Sequence, residues 1–328
     1  MAAARQIAKR MVRTGLHGMG GLNAIVWWTR RDFRILTYHR FPSQLQDELD
    51  RQCAFLKRHF RIVPLPEIAA ALKSGAHVPS NTLAITIDDG YRDILTSAFP
   101  VFEKWKIPAA VYLISGFLDC EFWPWWDKVS YAVERTRKDS VCIEENGSQH
   151  RIPLRTASEK DAAIETIRER VKRFPNPDLQ PYFANLNNMF EVEIPAQAPP
   201  ESAPLSWAEV RRLADAGITF GAHTKTHPIL PKLDNEAEIR EEIAGSKARI
   251  EQELGRAVEH FCYPNGDRDD LSEAIVKSSG FATAVVTESG LNRRGADPYR
   301  LKRLSVEPGL ARDYYREQVV GLHAVAVK

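Results

Sequence analysis

The sequence predicts an α/β fold, and two observations carry this prediction. Short apolar runs of the kind that form buried strands alternate along the chain with segments of helical periodicity. Several of these runs are followed at once by a polar cluster, which is typical of strands whose carboxyl ends meet at one functional rim. The 328 residues, 44% of them hydrophobic and 27% charged, suffice for one large domain or two ordinary ones.

Seven apolar runs are predicted as strands, at residues 33–38, 82–87, 109–114, 218–222, 260–263, 282–286 and 304–306. A helix predicted over residues 44–59 has one apolar face, formed by Leu45, Leu49, Cys53 and Leu56. Ser206 and Glu209 have the spacing of a capping box, which opens a helix that ends at Gly217. Further helices are predicted over residues 236–254 and 271–279.

Residues 117–204 interrupt the alternation and are predicted as an insertion or lid on the main body. The segment has a polar middle, a charged helix near residues 158–173 and proline-rich ends. Its tryptophans Trp123, Trp125 and Trp126 either form a small core of its own or contact substrate, with Trp126 beside Asp127 as the better candidate. The predicted division is an N-terminal segment 1–32, a body of 33–116 and 205–311, this insertion, and a C-terminal helix 312–328.

The first thirty-one residues contain no acidic residue and six basic ones, Arg5, Lys9, Arg10, Arg13, Arg30 and Arg31. Their apolar stretch, residues 19–28, is too short to span a bilayer and lacks the cleavage site of a secretory signal. It either contacts an anionic membrane surface or packs on the body as a helix. The predicted location is the cytoplasm. If the N-terminal segment contacts a membrane, peripheral association with its inner face is expected.

The net charge of +2 gives no reason to expect a nucleic-acid partner. The cysteines at 53, 120, 142 and 262 form no Cys-x-x-Cys pair, so neither a zinc ribbon nor a disulfide framework is predicted. Cys53 and Cys262 fall in apolar patterns and are predicted as small core residues, which favours a reducing compartment.

Four predicted strands end in polar residues, which are therefore expected at one rim. The clusters are His39-Arg40, Asp88-Asp89-Gly90, His223-Thr224-Lys225-Thr226-His227-Pro228 and Tyr263-Pro264-Asn265-Gly266.

Two of these clusters have the composition of a metal site. Adjacent aspartates repel each other, so the pair after an apolar strand is costly unless a cation or a shared proton offsets the repulsion. Because Pro228 disfavours α geometry at His227, the two histidines are predicted in a loop or single turn and not within a helix. One aspartate and two histidines make the three-ligand set of an open zinc-type site. Zinc is the predicted cation, and cobalt, nickel and manganese also suit such a site.

The motifs resemble those of the polysaccharide deacetylases of the NodB-homology type, carbohydrate esterase family 4. The run Thr86-Ile87-Asp88-Asp89-Gly90 matches their Thr-Phe-Asp-Asp-Gly motif, and the run from His223 to Pro228 matches their His-Ser/Thr-x-x-His-Pro motif. The run from Phe261 to Gly266 is similar to their third motif in its Tyr-Pro-x-Gly form. Tyr38-His39-Arg40 resembles the opening strand of one branch. The resemblance covers residues 33–115 and 205–306.

The resemblance implies a distorted (β/α) barrel of about seven strands that hydrolyses N-acetyl groups on glycans. It implies that Asp88 is the general base and that Asp89, His223 and His227 bind a divalent metal. The third motif, with Tyr263 and the backbone N–H of Asn265, would lie on the substrate and oxyanion side.

The sequence departs from the family at two points. The family's third motif often carries an arginine that orients the catalytic aspartate, and Cys262 stands there in this chain. Arg300 or Arg303 is expected to substitute, with Arg303 favoured and a surface ion pair as the alternative. The family's late Leu-x-His motif, which supplies the general acid, has no clear counterpart, since His323 lies in an amphipathic pattern. His39 is the candidate acid, against the alternative of a buried histidine bonded to backbone.

Three functions stay open at this point. The first is metal-dependent hydrolysis of an N-acetyl group on an amino sugar such as N-acetylglucosamine, in a polysaccharide, an oligosaccharide or a lipid-linked glycan of the cell envelope. The second is a sugar deformylase or another amidase on a non-peptide C–N bond, because the motifs do not distinguish the acyl group. The third is an inactive carbohydrate-binding relative, against which the intact set of aspartates and histidines argues. The oligomeric state is not predicted.

Overall fold

Seven parallel strands close into a barrel in the computed structural model, which describes residues 21–145, 148–173 and 185–322. The distorted (β/α) barrel predicted from the sequence is thereby confirmed. Around the barrel the strand order is β1, β10, β9, β8, β7, β4 and β3, and β3 pairs again with β1. Their bounds are β1 Arg34–Tyr38, β3 Thr82–Ile87, β4 Ala110–Leu113, β7 Thr219–Ala222, β8 His260–Cys262, β9 Thr283–Ser289 and β10 Leu301–Ser305.

The closure lies at β1, whose Leu36 aligns with Leu304 of β10 and with Ile85 of β3. A short strand, β2 (Arg61–Ile62), adds to the other edge of β3. Every residue of β1, β3 and β4 is buried, because these strands have the barrel interior on one face and helices on the other. Continuous apolar runs are the sequence pattern of such strands.

Helices cover the outside of the barrel. Their bounds are α1 Gly21–Trp28, α2 Gln46–His59, α3 Leu65–Ser74, α4 Phe99–Trp105, α5 Ser115–Leu118, α6 Trp125–Arg135, α7 Ala157–Val171, α8 Leu186–Phe190, α9 Trp207–Asp215, α10 Glu236–Arg240, α11 Ser246–Leu254, α12 Asp270–Ser278 and α13 Arg312–Val320. The predicted capping box of Ser206 and Glu209 opens α9. A π-turn, Glu241–Gly245, joins α10 to α11, so the helix predicted over residues 236–254 is one run with a local bulge.

Residues of the insertion form a small core of their own. The helices α6, α7 and α8 pack with an antiparallel hairpin, β5 (Ser140–Glu145) and β6 (Ser148–Pro153), around Val129, Val133, Ile143, Ile167 and Phe190. A second cluster joins this unit to the barrel and contains Tyr91, Phe117 and the fully buried Trp123. Trp123 is therefore a packing residue, as one of the two sequence interpretations has it.

The N-terminal helix α1 packs on the barrel through Leu22, Ile25 and Val26. Its Trp27 and Trp28 point outward, with 65% and 72% of their surfaces exposed. No helix in the described ranges combines the length and the apolar character that a membrane-spanning segment requires. The basic residues from Arg5 to Arg13, and His323, lie outside the described residues.

Candidate active site

Asp88 and Asp89 follow the last residue of β3, at the carboxyl end of the barrel. Both carboxylates are buried, with relative exposures of 2% and 5%. The backbone N–H of Asp88 donates to the carbonyl of Tyr38, which ties this end of β3 to the end of β1. Asp89 then adopts a left-handed conformation with φ of +74°, a strained state for a residue other than glycine. The turn therefore directs the two neighbouring carboxylates differently.

Arg303 binds Asp88 through both carboxylate oxygens. Its Nη1 lies 2.7 Å from Oδ1 and its Nη2 lies 2.8 Å from Oδ2. Burial raises the pKa of Asp88, but the charge and hydrogen bonds of Arg303 outweigh it and hold that pKa below its usual range. Arg303 lies within β10 and is fully buried, so it positions Asp88 and presents no surface to a substrate. Arg300, the alternative, instead pairs with Glu273.

Asp89, His223 and His227 bring one possible ligand atom each to within 4.8 Å of one another. Asp89 Oδ1 is 3.6 Å from His223 Nε2, and the two imidazole rings meet edge to face with their centroids 4.6 Å apart. Burial, with the charges of Asp88 and Asp127, raises the pKa of Asp89 well above its usual range. A buried carboxylate in this state, beside two imidazoles, fits a divalent cation.

The protonation of His223 is fixed by its surroundings. Its Nδ1 lies 2.7 Å from the carbonyl oxygen of Cys262, which accepts a hydrogen bond, so Nδ1 carries the proton. Nε2, on the side of Asp89, then has its lone pair available. Burial lowers the pKa of His223 to about 4, which keeps the ring neutral near pH 7 and able to bind a metal.

The loop that holds the two histidines is non-helical, as Pro228 predicts. Thr224 and His227 both have positive φ, of +64° and +60°, which for a β-branched threonine is a strained conformation. The Thr224 hydroxyl donates to the carbonyl of His223 and accepts from the N–H of His227. Glu242, in the π-turn, accepts hydrogen bonds from the N–H groups of Lys225 and Thr226 at 2.8 Å each. The π-turn thus fixes the middle of the loop through Glu242.

A second set of possible ligands overlaps the first. Asp88, His223 and Cys262 also place one ligand atom each within 4.8 Å of one another. Cys262 is buried, as predicted, but its thiol is part of the site: Sγ lies 3.6 Å from Asp88 and 3.3 Å from Arg303. Since Arg303 occupies both oxygens of Asp88, the set of Asp89, His223 and His227 has the more available oxygen ligand.

His39 lies at the rim beside Asp88. Its Nε2 is 3.6 Å from Asp88 Oδ2, and about half of its side chain, 48%, is exposed. The alternative of a buried histidine bonded only to backbone is therefore not what the structure shows. Loss of solvent around the ring lowers the pKa of His39, while the charge of Asp88 acts in the opposite direction.

Trp126, at the start of α6, brings the insertion into contact with His227, one of the possible metal ligands. Its ring meets His227 edge to face with the centroids 4.7 Å apart. Its indole N–H donates to the Tyr91 hydroxyl at 2.8 Å, and that hydroxyl donates to Asp127 at 2.7 Å. The guanidinium of Arg40 lies over the Tyr91 ring at 4.1 Å. Trp126 is thereby held in one orientation against His227.

Only part of the third motif, the run from Phe261 to Gly266, lies where the sequence predicts it. Asn265 follows β8 with φ of +54°, at the same end of the barrel as the aspartates and histidines. The Tyr263 side chain, however, is fully buried and packs edge-on against Phe261 in the core. The Tyr263 side chain is therefore a packing residue of the core, and the placement of the third motif on the substrate and oxyanion side stays a prediction.

Sequence reasoning missed several residues of the site. Glu242 is one of many acidic residues in a charged helix, and no local signal distinguishes it. Tyr91 stands next to the Asp-Asp-Gly motif and was a detectable candidate from its position alone. Cys262 was recognised as filling the place of an arginine, but its contact with Asp88 was not predicted.

Comparisons with known proteins agree with this geometry. Residues 75–284, more than half of the chain, match the family model described as polysaccharide deacetylase. The poly-beta-1,6-N-acetyl-D-glucosamine N-deacetylase of Escherichia coli K12 is 26% identical over 102 residues, which are 28% of this chain and 15% of that protein. The match thus spans only a small part of this curated relative.

Two solved structures share the fold over most of both chains. The Streptococcus pyogenes deacetylase PplD, in complex with acetate, superposes with a TM-score of 0.57 at 16% identity, over 88% of this chain and 98% of its own. IcaB from Ammonifex degensii gives a TM-score of 0.56 at 20% identity, over 88% and 96%. With the family match and the placement of both motifs at one rim, the chain belongs to the polysaccharide deacetylase family.

Proposed function

We propose that the protein is a metal-dependent hydrolase that removes an acetyl group from the nitrogen of an amino sugar in a glycan. One observation carries the proposal. Asp88, which accepts two hydrogen bonds from Arg303, lies beside a separate cluster of three side chains that can bind a metal. A base and a metal site side by side are what amide hydrolysis at neutral pH requires.

Asp89, His223 and His227 would hold the cation, and two imidazoles with one carboxylate favour zinc. When bound, such a cation polarises the amide carbonyl and lowers the pKa of a bound water to about 7. Three protein ligands leave a position for that water and the substrate.

The remaining steps fall to the chain's own groups. Asp88, ionised and held in one orientation, accepts a proton from water. His39, whose Nε2 is 3.6 Å from Asp88 at the exposed side of the rim, takes up that proton from Asp88 and delivers it to the leaving amine. The backbone N–H of Asn265 donates to the oxyanion of the tetrahedral intermediate.

Acetyl is favoured over formyl because the Escherichia coli relative is named an N-deacetylase of poly-beta-1,6-N-acetyl-D-glucosamine. The same name supports N-acetylglucosamine as the sugar. The lipid-linked glycan is proposed on a different ground, the exposed tryptophans of α1.

Metal content and acetate release together test this function. The unmodified chain is expected to bind about one divalent metal and to release acetate from N-acetylglucosamine oligomers. Asp89→Asn should lose metal and activity, whereas Asp88→Asn should keep the metal and lose activity. His39→Gln should keep the metal and lose most of the turnover, and undiminished turnover in that variant would reject the acid assignment.

The alternatives separate in the same experiment. Release of formate in place of acetate would identify a deformylase. Metal without turnover on any N-acyl sugar would direct attention to other substrates. A chain that binds no metal even when zinc is supplied would contradict the hydrolase and leave a carbohydrate-binding protein.

We also propose peripheral association with the inner face of a membrane through α1. The support is the exposure of Trp27 and Trp28, followed in sequence by Arg30 and Arg31, since aromatic and basic side chains together suit an anionic interface. The helix leads to the amino end of β1, whereas the candidate site lies at the carboxyl ends of the strands. If α1 contacts the bilayer, the candidate site therefore faces away from the membrane surface. It would then meet a glycan that extends from the bilayer.

A further inference from the structure

A cleft of about 540 Å³ opens beside the candidate site, between the end of β1, the end of β10 and the helix α13. His39 lines it, and the same His39 lies 3.6 Å from Asp88. Its volume falls within the range of about 300–1,000 Å³ that is typical of small-molecule sites. The cleft is therefore continuous with the catalytic rim and large enough for a ligand group of its own.

The wall of the cleft combines an aromatic face with polar groups. Tyr314 of α13 is 37% exposed, which makes it one of the few large apolar side chains exposed among the described residues. Gln318, one turn later, donates to the Tyr314 hydroxyl at 3.0 Å. Ser305 and Glu307 add a hydroxyl and a carboxylate. A pyranose ring has apolar faces that pack on aromatic rings and hydroxyl edges that hydrogen-bond to such groups.

The loop that forms the floor is held in place from below. The Gln52 amide donates to the backbone carbonyls of Glu307 and Pro308 at 3.0 and 3.2 Å. The Gln52 oxygen accepts from the Tyr38 hydroxyl at 3.0 Å, and that hydroxyl lies 3.1 Å from the hydroxyl of Tyr315. Because these groups are buried, the cleft is formed before any ligand binds, which lowers the entropic cost of binding.

Charge distinguishes among the possible ligands. Arg40, which also lines the cleft, is engaged by Asp93 at 2.8 Å and stacks on Tyr91. Glu307 contributes a carboxylate that repels phosphate groups. An uncharged sugar ring therefore fits this wall better than the diphosphate of a nucleotide sugar.

We propose that this cleft is a subsite for an uncharged pyranose ring next to the N-acetylated one, with Tyr314 as its stacking platform. The inference rests on the proposed deacetylase function and deepens it, since it makes the substrate an oligosaccharide or polysaccharide and not a single sugar or a nucleotide sugar. It also gives α13 a role in recognition beyond packing.

Steady-state kinetics on an N-acetylglucosamine tetramer and on the monosaccharide test the subsite in the full chain with zinc. Tyr314→Ala is expected to raise the KM for the tetramer about two- to tenfold, which is the range that an aromatic contact of about 0.5–1.5 kcal/mol gives. The preference for the tetramer over the monosaccharide should shrink accordingly, with little change in kcat. Tyr314→Phe keeps the ring and should retain most of the preference. Arg312→Ala, on the same helix but outside this cleft, should leave the tetramer KM unchanged.

Binding without turnover separates this inference from the proposed function. Calorimetric titration of the tetramer into Asp88→Asn, with and without Tyr314→Ala, should show the same loss of affinity. If the chain deacetylates no sugar but Tyr314→Ala still weakens tetramer binding, the function fails and the subsite stands. If turnover is present and the tetramer KM is the same in Tyr314→Ala, or if no tetramer binds, the subsite is overturned. Circular dichroism of each variant checks that it is folded.

Discussion

Arg303 and Asp88 meet through two parallel hydrogen bonds in the interior of the barrel, at 2.7 and 2.8 Å, with both side chains almost fully buried. A paired buried charge is tolerated only because each partner satisfies the other, so removing one partner is costly. The same contact holds Asp88 ionised and in a single orientation. Stability and catalysis are therefore coupled in this pair.

Arg303→Met is expected to reduce the free energy of unfolding by about 3–5 kcal/mol, because it leaves Asp88 buried without a partner. It should also lower kcat/KM for acetate release by about a hundredfold or more. Arg303→Lys keeps the charge but loses the two parallel hydrogen bonds. Its losses of stability and of kcat/KM should therefore be smaller than those of Arg303→Met. Urea unfolding and acetate assays measure both quantities. Arg300→Met is the control, and the loss of its exposed ion pair should reduce the free energy of unfolding much less. Equal losses in the two arginine variants would refute the coupling.

Cys262→Ser distinguishes the two overlapping ligand sets. If Asp89, His223 and His227 hold the metal, the serine variant should keep about one metal per chain with an affinity within about tenfold of the original. A metal bound by Asp88, His223 and Cys262 would instead be lost with the thiol. Metal analysis after dialysis reads the outcome, and Cys53→Ser, at another buried thiol, is the matched control.

The barrel itself was predictable because its strands are continuous apolar runs, and because residues that follow them must share a rim. Arg303 shows where this reasoning ends. A charged residue amid Leu301 and Leu304 reads as an interruption, so the last strand was predicted to begin at residue 304 and not at 301. Its charge partner Asp88, far away in sequence, makes an arginine acceptable inside the barrel, and no local pattern contains that contact.

The hairpin of the insertion is a different kind of omission. The alternation of Val141 and Ile143, with Asn146-Gly147 between the two strands in sequence, is a strong hairpin signal that a description of this region as a polar middle overlooked. The contact of Trp126 with His227, by contrast, depends on how the insertion docks on the barrel, which no local pattern contains.

Trp126→Ala should lower metal affinity about tenfold, because the ring supports His227 and residues around metal ligands commonly contribute 10- to 100-fold. Trp126→Phe restores an aromatic edge and should recover much of the affinity. Competition with a chromophoric chelator measures the difference. Unchanged metal affinity in the alanine variant would mean that this ring serves only the packing of α6.

The double change of Trp27 and Trp28 to alanine should weaken binding to vesicles of anionic lipid about tenfold, since it removes the apolar part of the contact. Cosedimentation of the full chain with anionic and with neutral vesicles provides the measurement. Leu271→Ala, at an exposed apolar residue on α12, is the control and should bind as the original does. Binding that persists in the double variant would exclude α1 as the contact.

Glu273 gives the fold a defined acid sensitivity. Burial raises its pKa, but hydrogen bonds with Arg300 and Lys277 and their charges outweigh this and bring it to about 2. Because the pKa is lower in the folded chain than in the unfolded one, the unfolded state binds more protons between pH about 4.5 and 2, and stability falls as the pH falls through that window. Glu273→Gln should reduce the free energy of unfolding at pH 6 by about 1–2 kcal/mol, a modest value because the cationic partners are partly exposed. The gap between variant and original should then close toward pH 2. Unfolding curves at several pH values test this, with Glu165→Gln, at an exposed position, as control. A gap independent of pH would show that the ion pairs of Glu273 do not control the effect.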